Sequence, residues 1–151
     1  MLQEGDKAPA FKARDQSGNT INLSDFKGKK VILFFYPEDD TPTCTVEACN
    51  LRDNYSLLKK KGFEIIGISP QDEKSHLKFE KKFNLPFPLL ADPKRKIIEA
   101  YGCWAQKKLF GYEYMGVLRH TYTIDEKGKI EKIFRKVFSK KHISRHHAAS
   151  R

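Results

Sequence analysis

The sequence predicts one α/β domain built on a central mixed β-sheet with helices on both faces. Three observations predict it. Residues 31–36 and 63–69 are apolar on both faces, as in strands buried in the middle of a covered sheet. Helical patterns follow each of them, and that alternation implies parallel strands joined by crossovers. Near the end, residues 117–124 and 129–138 flank Asp125-Glu126-Lys127-Gly128, a turn that suits an antiparallel hairpin.

The elements follow in order. Asp15-Gln16-Ser17-Gly18-Asn19 is a turn cluster between two short stretches able to pair as a hairpin. Lys27-Gly28-Lys29-Lys30 leads into the first buried strand, which Pro37 ends. Residues 44–61 read as a helix, with Ala48, Leu51, Tyr55 and Leu58 on one face and Gly62 closing it. The second buried strand precedes a helix over residues 72–83, whose apolar side is Leu77, Phe79 and Phe83. Leu85-Pro86-Phe87-Pro88 is extended and leads to a short strand at Leu89 and Leu90, then a short helix over residues 97–101. The domain is expected to span residues 1–138. Residues 139–151 contain one large apolar side chain, Ile143, and are expected to be a poorly ordered basic tail.

Composition excludes several classes. Apolar residues make up 39% and include eleven Phe, enough for a core, so general disorder is excluded. The longest notable apolar run has six residues, 31–36, against the roughly 20 a membrane span needs. No basic region followed by an apolar stretch opens the chain, so no secretory signal is read. Three cysteines, an odd number, argue against a disulfide-stapled secreted fold and favour the cytoplasm. The net charge of +10 is concentrated after residue 126, where nine basic residues meet one acidic one. Aromatics are not interleaved with that excess, so a specific nucleic-acid surface is not expected.

The chemistry concentrates where the first buried strand hands over to a helix, the end at which open α/β sheets bind ligands. Thr41 is a natural N-cap and Pro42 a natural first helical residue. Cys44 then falls in the first turn, near unpaired N–H groups and the positive end of the helix dipole. Both favour thiolate, the nucleophilic form, over thiol. The alternative for Cys44 is a small buried hydrophobe.

Pro37-x-x-x-Thr41-x-x-Cys44 resembles the active-site motif of the peroxiredoxins. The wider match resembles the bacterioferritin comigratory protein, or PrxQ, subfamily. It comprises Gly5-Asp6-x-Ala8-Pro9-x-Phe11, Asp40-Thr41-Pro42, Cys44-Thr45-x-Glu47-Ala48-Cys49 and Leu51-Arg52-Asp53, then Gly67-Ile68-Ser69, Tyr101-Gly102-x-Trp104 and Arg119 before Thr123-Ile124-Asp125. The resemblance implies a thioredoxin-like fold and a thiol peroxidase acting on hydrogen peroxide and organic hydroperoxides. It implies no metal or organic cofactor, a thioredoxin-type reductant, and a monomer, since an intrachain resolver removes the need for a dimer. Cys44 would be the peroxidatic cysteine, Thr41 would hydrogen-bond the peroxide and Pro37 would shield the sulfur. Arg119 would hold the thiolate and polarise the peroxide. Glu47, one turn beyond Cys44, either orients Arg119 or is a solvent-exposed carboxylate. Cys49 matches the resolving cysteine. Five residues along a helix put two Cα atoms roughly 8–9 Å apart, beyond the approximate 7 Å limit for a disulfide, so the first turns must unwind after oxidation.

Three features depart from the subfamily pattern. Thr43 replaces a usual Gly, Cys103 stands where Val is usual, and no convincing amphipathic helix ends the chain. Cys103 reads as a buried spectator. Two rival chemistries have sequence support. Cys44 and Cys49 with His142 and His146 would supply four zinc-type ligands. A thioredoxin-type oxidoreductase is the other, but the Cys-x-x-Cys it needs is absent.

Overall fold

The computed structural model describes residues 1–136. Strands β1 (Lys12–Arg14) and β2 (Thr20–Asn22) pair antiparallel as the first hairpin. Its turn is held by the Asp15 carboxylate, which accepts from the Ser17 and Asn19 amides, each at 2.9 Å. A 3-10 turn over Leu23–Phe26 then leads to β3 (Lys30–Phe35), the middle strand of the main sheet. Helices α1 (Pro42–Asp53) and α2 (Tyr55–Lys60) follow, then β4 (Phe63–Ser69), α3 (Glu73–Phe83), β5 (Leu89–Ala91) and α4 (Lys96–Ala100). The described chain finishes with β6 (Trp104–Leu109), β7 (Tyr112–Val117), β8 (Thr121–Ile124) and β9 (Ile130–Phe134).

The main sheet has the order β5-β4-β3-β8-β9. β3, β4 and β5 are parallel, and β8 and β9 join antiparallel. This is the mixed sheet the alternation of elements predicts. Its two faces follow from the period of two along β3. Ile32, Phe34 and Tyr36 pack with Ala48, Leu51, Leu58 and Phe79 of the three helices α1 to α3. Val31, Leu33 and Phe35 pack on the other face with Ile97 and Ile98 of α4. Gly67 sits opposite Phe34 in the register, and a Cβ there would come within 2.7 Å of the Phe34 ring and 2.9 Å of Leu89. Glycine leaves the room that the Phe34 ring occupies.

Four sequence expectations are corrected. The helix expected over residues 44–61 starts at Pro42, as the Thr41 and Pro42 start signals imply, but is two helices that break at Asn54. The Asn54 side-chain amide Nδ2 donates to the Asn50 carbonyl at 2.8 Å and shares it with the Asn54 backbone amide at 3.2 Å, competing with the helical ladder. The strand expected over 117–124 is also divided. Val117 ends β7, the Leu118 amide donates to the Cys103 carbonyl at 2.7 Å, and the chain joins the main sheet only at Thr121. Arg119 therefore lies on a bend between strands. The last strand is Ile130–Phe134, shorter than expected, and residues 137 and 138 lie outside the described chain. Finally, the sequence reading contained no hairpin over residues 104–117, yet β6 and β7 form one. Phe110 and Gly111, with φ of 50° and 82°, make the two-residue turn that suits a hairpin. The expected tail, residues 139–151, lies outside the described residues, as do His142 and His146.

Candidate active site

The site forms where β3 ends and α1 begins. Tyr36 is fully buried, Pro37 half-buried, and the chain turns through Asp40, whose φ is 59°, into α1. Thr41 occupies the N-cap position with extended backbone, and its carbonyl accepts from the Thr45 amide at 2.8 Å. Its hydroxyl does not cap the helix as expected from its position. It donates instead to the Glu38 carbonyl at 3.2 Å. That commits the hydroxyl proton and leaves the oxygen's lone pairs as the groups Thr41 can offer a ligand.

Cys44 is the third helical residue, 1% exposed, and packs in the core with Tyr36 and Ala48. Arg119 reaches it from the β7–β8 bend, and Nη1 donates to Sγ at 2.9 Å. Sequence separation of 75 residues is thus closed by a cation placed on the sulfur. Glu47, on the same helix, is fully buried, which removes the solvent-exposed alternative. Burial, the Asp39 carboxylate and the charges of Cys44 and Glu47 together push the Tyr36 phenol well above its usual pKa. The phenol therefore stays protonated and donates to Asp39 Oδ1 at 2.6 Å. Cys49 lies further along α1, half-buried and as a free thiol, like Cys44. Thr43 is exposed in the first turn and helical there.

Two contributors escape sequence reasoning. Lys107, on the unexpected hairpin, donates to the Val117 carbonyl at 3.1 Å. Burial and the Arg119 charge lower its pKa, and the charge of Cys44 opposes them. His76 is a lone histidine in a Lys- and Glu-rich helix, yet it is fully buried beside Asp39. The signal was present: His76, Phe79 and Phe83 share one stripe at helical spacing.

A model of the AhpC/TSA family matches residues 4–133. The chain is a peroxiredoxin of that family. It is 46% identical over 143 residues to peroxiredoxin Bcp of Bacillus subtilis (strain 168), covering 95% of this chain and 91% of that one. Among solved structures it resembles peroxidoxin BcpB from Mycobacterium tuberculosis, with a TM-score of 0.86, 30% identity and coverage of 99% and 97% of the two chains. It also resembles the Xanthomonas campestris bacterioferritin comigratory protein, with a TM-score of 0.84, 27% identity and coverage of 93% and 89%. The fold of this peroxiredoxin is thioredoxin-like, and its activity is that of a thiol peroxidase, with a peroxide as substrate and a thiol as reductant.

Within this peroxiredoxin Cys103 is set apart from the chemistry. It packs on the face of the sheet opposite Cys44. Burial pushes its thiol up to about 12, and the sulfur lies 3.6 Å from the Tyr122 hydroxyl and 3.7 Å from the Tyr101 carbonyl. Such a group is a thiol, not a nucleophile. No described helix is long and apolar enough to cross a membrane.

Proposed function

We propose that Cys44 is the peroxidatic cysteine, Cys49 its resolver, and Thr41, Pro37, Glu47 and Arg119 the groups that serve the attack. The observation that carries this reading is the 2.9 Å contact from Arg119 Nη1 to Cys44 Sγ at the first turn of α1. A guanidinium there stabilises the thiolate and, as the O–O bond breaks, the charge on the departing oxygen.

The steps balance without a metal or organic cofactor. The Cys44 thiolate attacks the terminal oxygen of the hydroperoxide. An S–O bond forms and the O–O bond breaks, giving a sulfenic acid and an alkoxide or hydroxide that takes a proton and leaves as alcohol or water. Thr41, its own hydrogen on Glu38, accepts the peroxide O–H and orients it. Pro37 covers the sulfur side of the loop, and the near-complete burial of Cys44 keeps water and bulky thiols away. Glu47, fully buried one turn on, orients Arg119. The first turns of α1 then unwind. The Cys49 thiol attacks the Cys44 sulfenic sulfur, and water leaves as the disulfide forms. A dithiol donor of the thioredoxin type reduces that disulfide and is itself oxidised.

Hydrogen peroxide and organic hydroperoxides both fit this chemistry. The similar Xanthomonas campestris protein is described for alkyl peroxide reduction, which supports the organic class. The reading also takes the chain as a cytoplasmic monomer without a specific nucleic-acid partner. Its free cysteines fit a reducing compartment, and both reacting cysteines lie on one helix. The test is peroxide turnover with thioredoxin as donor by the wild type, Cys44→Ser and Cys49→Ser. Cys44→Ser is expected to lose all turnover, and Cys49→Ser to complete one oxidation but not cycle. Retention of near wild-type single-turnover rates by Cys44→Ser overturns the reading.

A further inference from the structure

The loop between β3 and α1 is fastened chiefly through Asp39. Its side chain is 4% exposed, and both carboxylate oxygens and the backbone amide are occupied. Its Oδ1 accepts from the Tyr36 hydroxyl at 2.6 Å. Its Oδ2 accepts from Ser75 Oγ at 2.7 Å and faces His76 Nδ1 at 2.7 Å. Its backbone amide donates to Gln71 Oε1 at 2.6 Å. His76 is fully buried, and its Nε2 lies 3.0 Å from the Leu90 carbonyl. A carbonyl only accepts, so Nε2 carries hydrogen, and the 2.7 Å contact of Nδ1 with Asp39 Oδ2 fixes the ring against the carboxylate. The loop before Cys44 is thus moored through Asp39 to Ser75 and His76 of α3, and His76 is itself held to β5. One residue on, Lys82 of α3 pairs with Asp40 at 2.7 Å at the surface.

This mooring lies at the boundary that the chemistry must cross. Cys44 needs the first turn of α1 intact, with Thr41 and Arg119 placed around the sulfur. The Cys44–Cys49 disulfide needs the same turn undone. We propose that Asp39, clasped by His76, Tyr36, Ser75 and Gln71, is a latch that holds the loop before Cys44 in its attacking geometry and sets how readily the first turn of α1 opens. None of these five side chains touches the sulfur in the hydrogen-bonding pattern; they are positioning residues. The inference rests on the Cys44–Cys49 reading given above. Its physical content is that attack and opening compete for one set of hydrogen bonds. Weakening the latch slows the first step and speeds the second.

The experiment follows both steps in one turnover of reduced protein with hydrogen peroxide. Sulfenic acid at Cys44 is trapped with dimedone, and the disulfide is read by quenched-flow mass spectrometry. The variants are His76→Leu, Asp39→Ala and the two combined. Each single variant is expected to slow sulfenic acid formation, and to speed disulfide formation, by about tenfold to a hundredfold, the range for one charge-assisted hydrogen bond. The double variant is expected to match the stronger single, because the two residues form one unit. His76→Gln keeps an amide donor and is expected to recover part of both effects. Ser75→Ala, a milder change, reports on the same latch where His76→Leu does not fold. Ile130→Ala, a core truncation on β9, supplies a control of matched thermal stability. The latch is refuted if the two rates stay unchanged, or if both move together as they do in Ile130→Ala. Absence of a Cys44–Cys49 bond in the wild type refutes the underlying reading instead, and the latch is then judged on the attack rate alone.

Discussion

Replacing Arg119 by Ala removes the cation that lies 2.9 Å from Cys44 Sγ. The size of the effect follows from that distance. A unit charge pair at this separation is worth about 6 kcal/mol at an effective dielectric of about 20, and about 1.4 kcal/mol at that of water. The bend carrying Arg119 is half-buried, so the value lies between these limits. A loss of 10²–10³ in attack rate, typical for one stabilising donor and worth roughly 2.7–4 kcal/mol, falls inside the bracket. The loss falls on the attacking sulfur, left without its cation, and on the uncompensated leaving oxygen. Stopped-flow peroxide attack is measured in a Cys49→Ser, Cys103→Ser background, where the reacting sulfur is Cys44. Arg119→Ala is expected to keep a rate deficit of that size at every pH measured. Arg119→Lys keeps the charge without the fork and is expected to restore part of the rate. An unchanged rate refutes the role.

Three further outcomes are expected. Glu47→Gln removes the buried carboxylate without changing volume. It is expected to slow attack between about tenfold and a hundredfold through misplacement of Arg119, and a change under about twofold in stopped flow removes the assignment. The buried Cys103 thiol, held up to about 12, binds its proton more tightly in the folded state than the usual value near 8.5 in the unfolded chain. Stability from this group is therefore complete below about pH 8.5 and falls as pH rises toward about 12, at up to about 1.4 kcal/mol per pH unit, so Cys103→Ala is expected to flatten the alkaline fall of the urea midpoint. An equally steep fall in that variant contradicts the burial argument. Oxidation is expected to speed amide exchange across residues 44–52 sharply while leaving β3 and β4 protected, as for a segment at the low end of local stability; equal protection in both redox forms contradicts unwinding.

Much of this architecture is legible from residue pattern. Residues 31–36 and 63–69 are apolar enough to mark the middle of the sheet, and the structure places them as adjacent parallel strands. Cys44 is legible because Thr41 and Pro42 are start signals, so its place in a first turn follows from local rules. Thr41 also shows where such rules stop. It takes the N-cap position, but its hydroxyl turns back to Glu38, a choice made by the loop and not by propensity. The β6–β7 hairpin was illegible because its strands are largely exposed, with Leu109, Phe110 and Tyr112 all outside the core. Without one buried face there is no alternation to read. Lys107 was lost with it. His76 and Asp39 meet across 37 residues, a long-range pairing that no local spacing encodes. Arg119 was found only through the peroxiredoxin resemblance, because a cation on a bend looks like any surface charge until the fold brings it to a sulfur.

Peptide mapping of the reduced protein after one equivalent of hydrogen peroxide tests the assignment of the two reacting cysteines most directly. The whole chain is quenched with acid, alkylated and digested, and every cysteine is assigned by mass. The expected product is a Cys44–Cys49 disulfide with Cys103 still a thiol, and in Cys49→Ser a sulfenic or overoxidised Cys44. A Cys44–Cys103 bond, or oxidation that begins at Cys49 while Cys44 stays reduced, contradicts it.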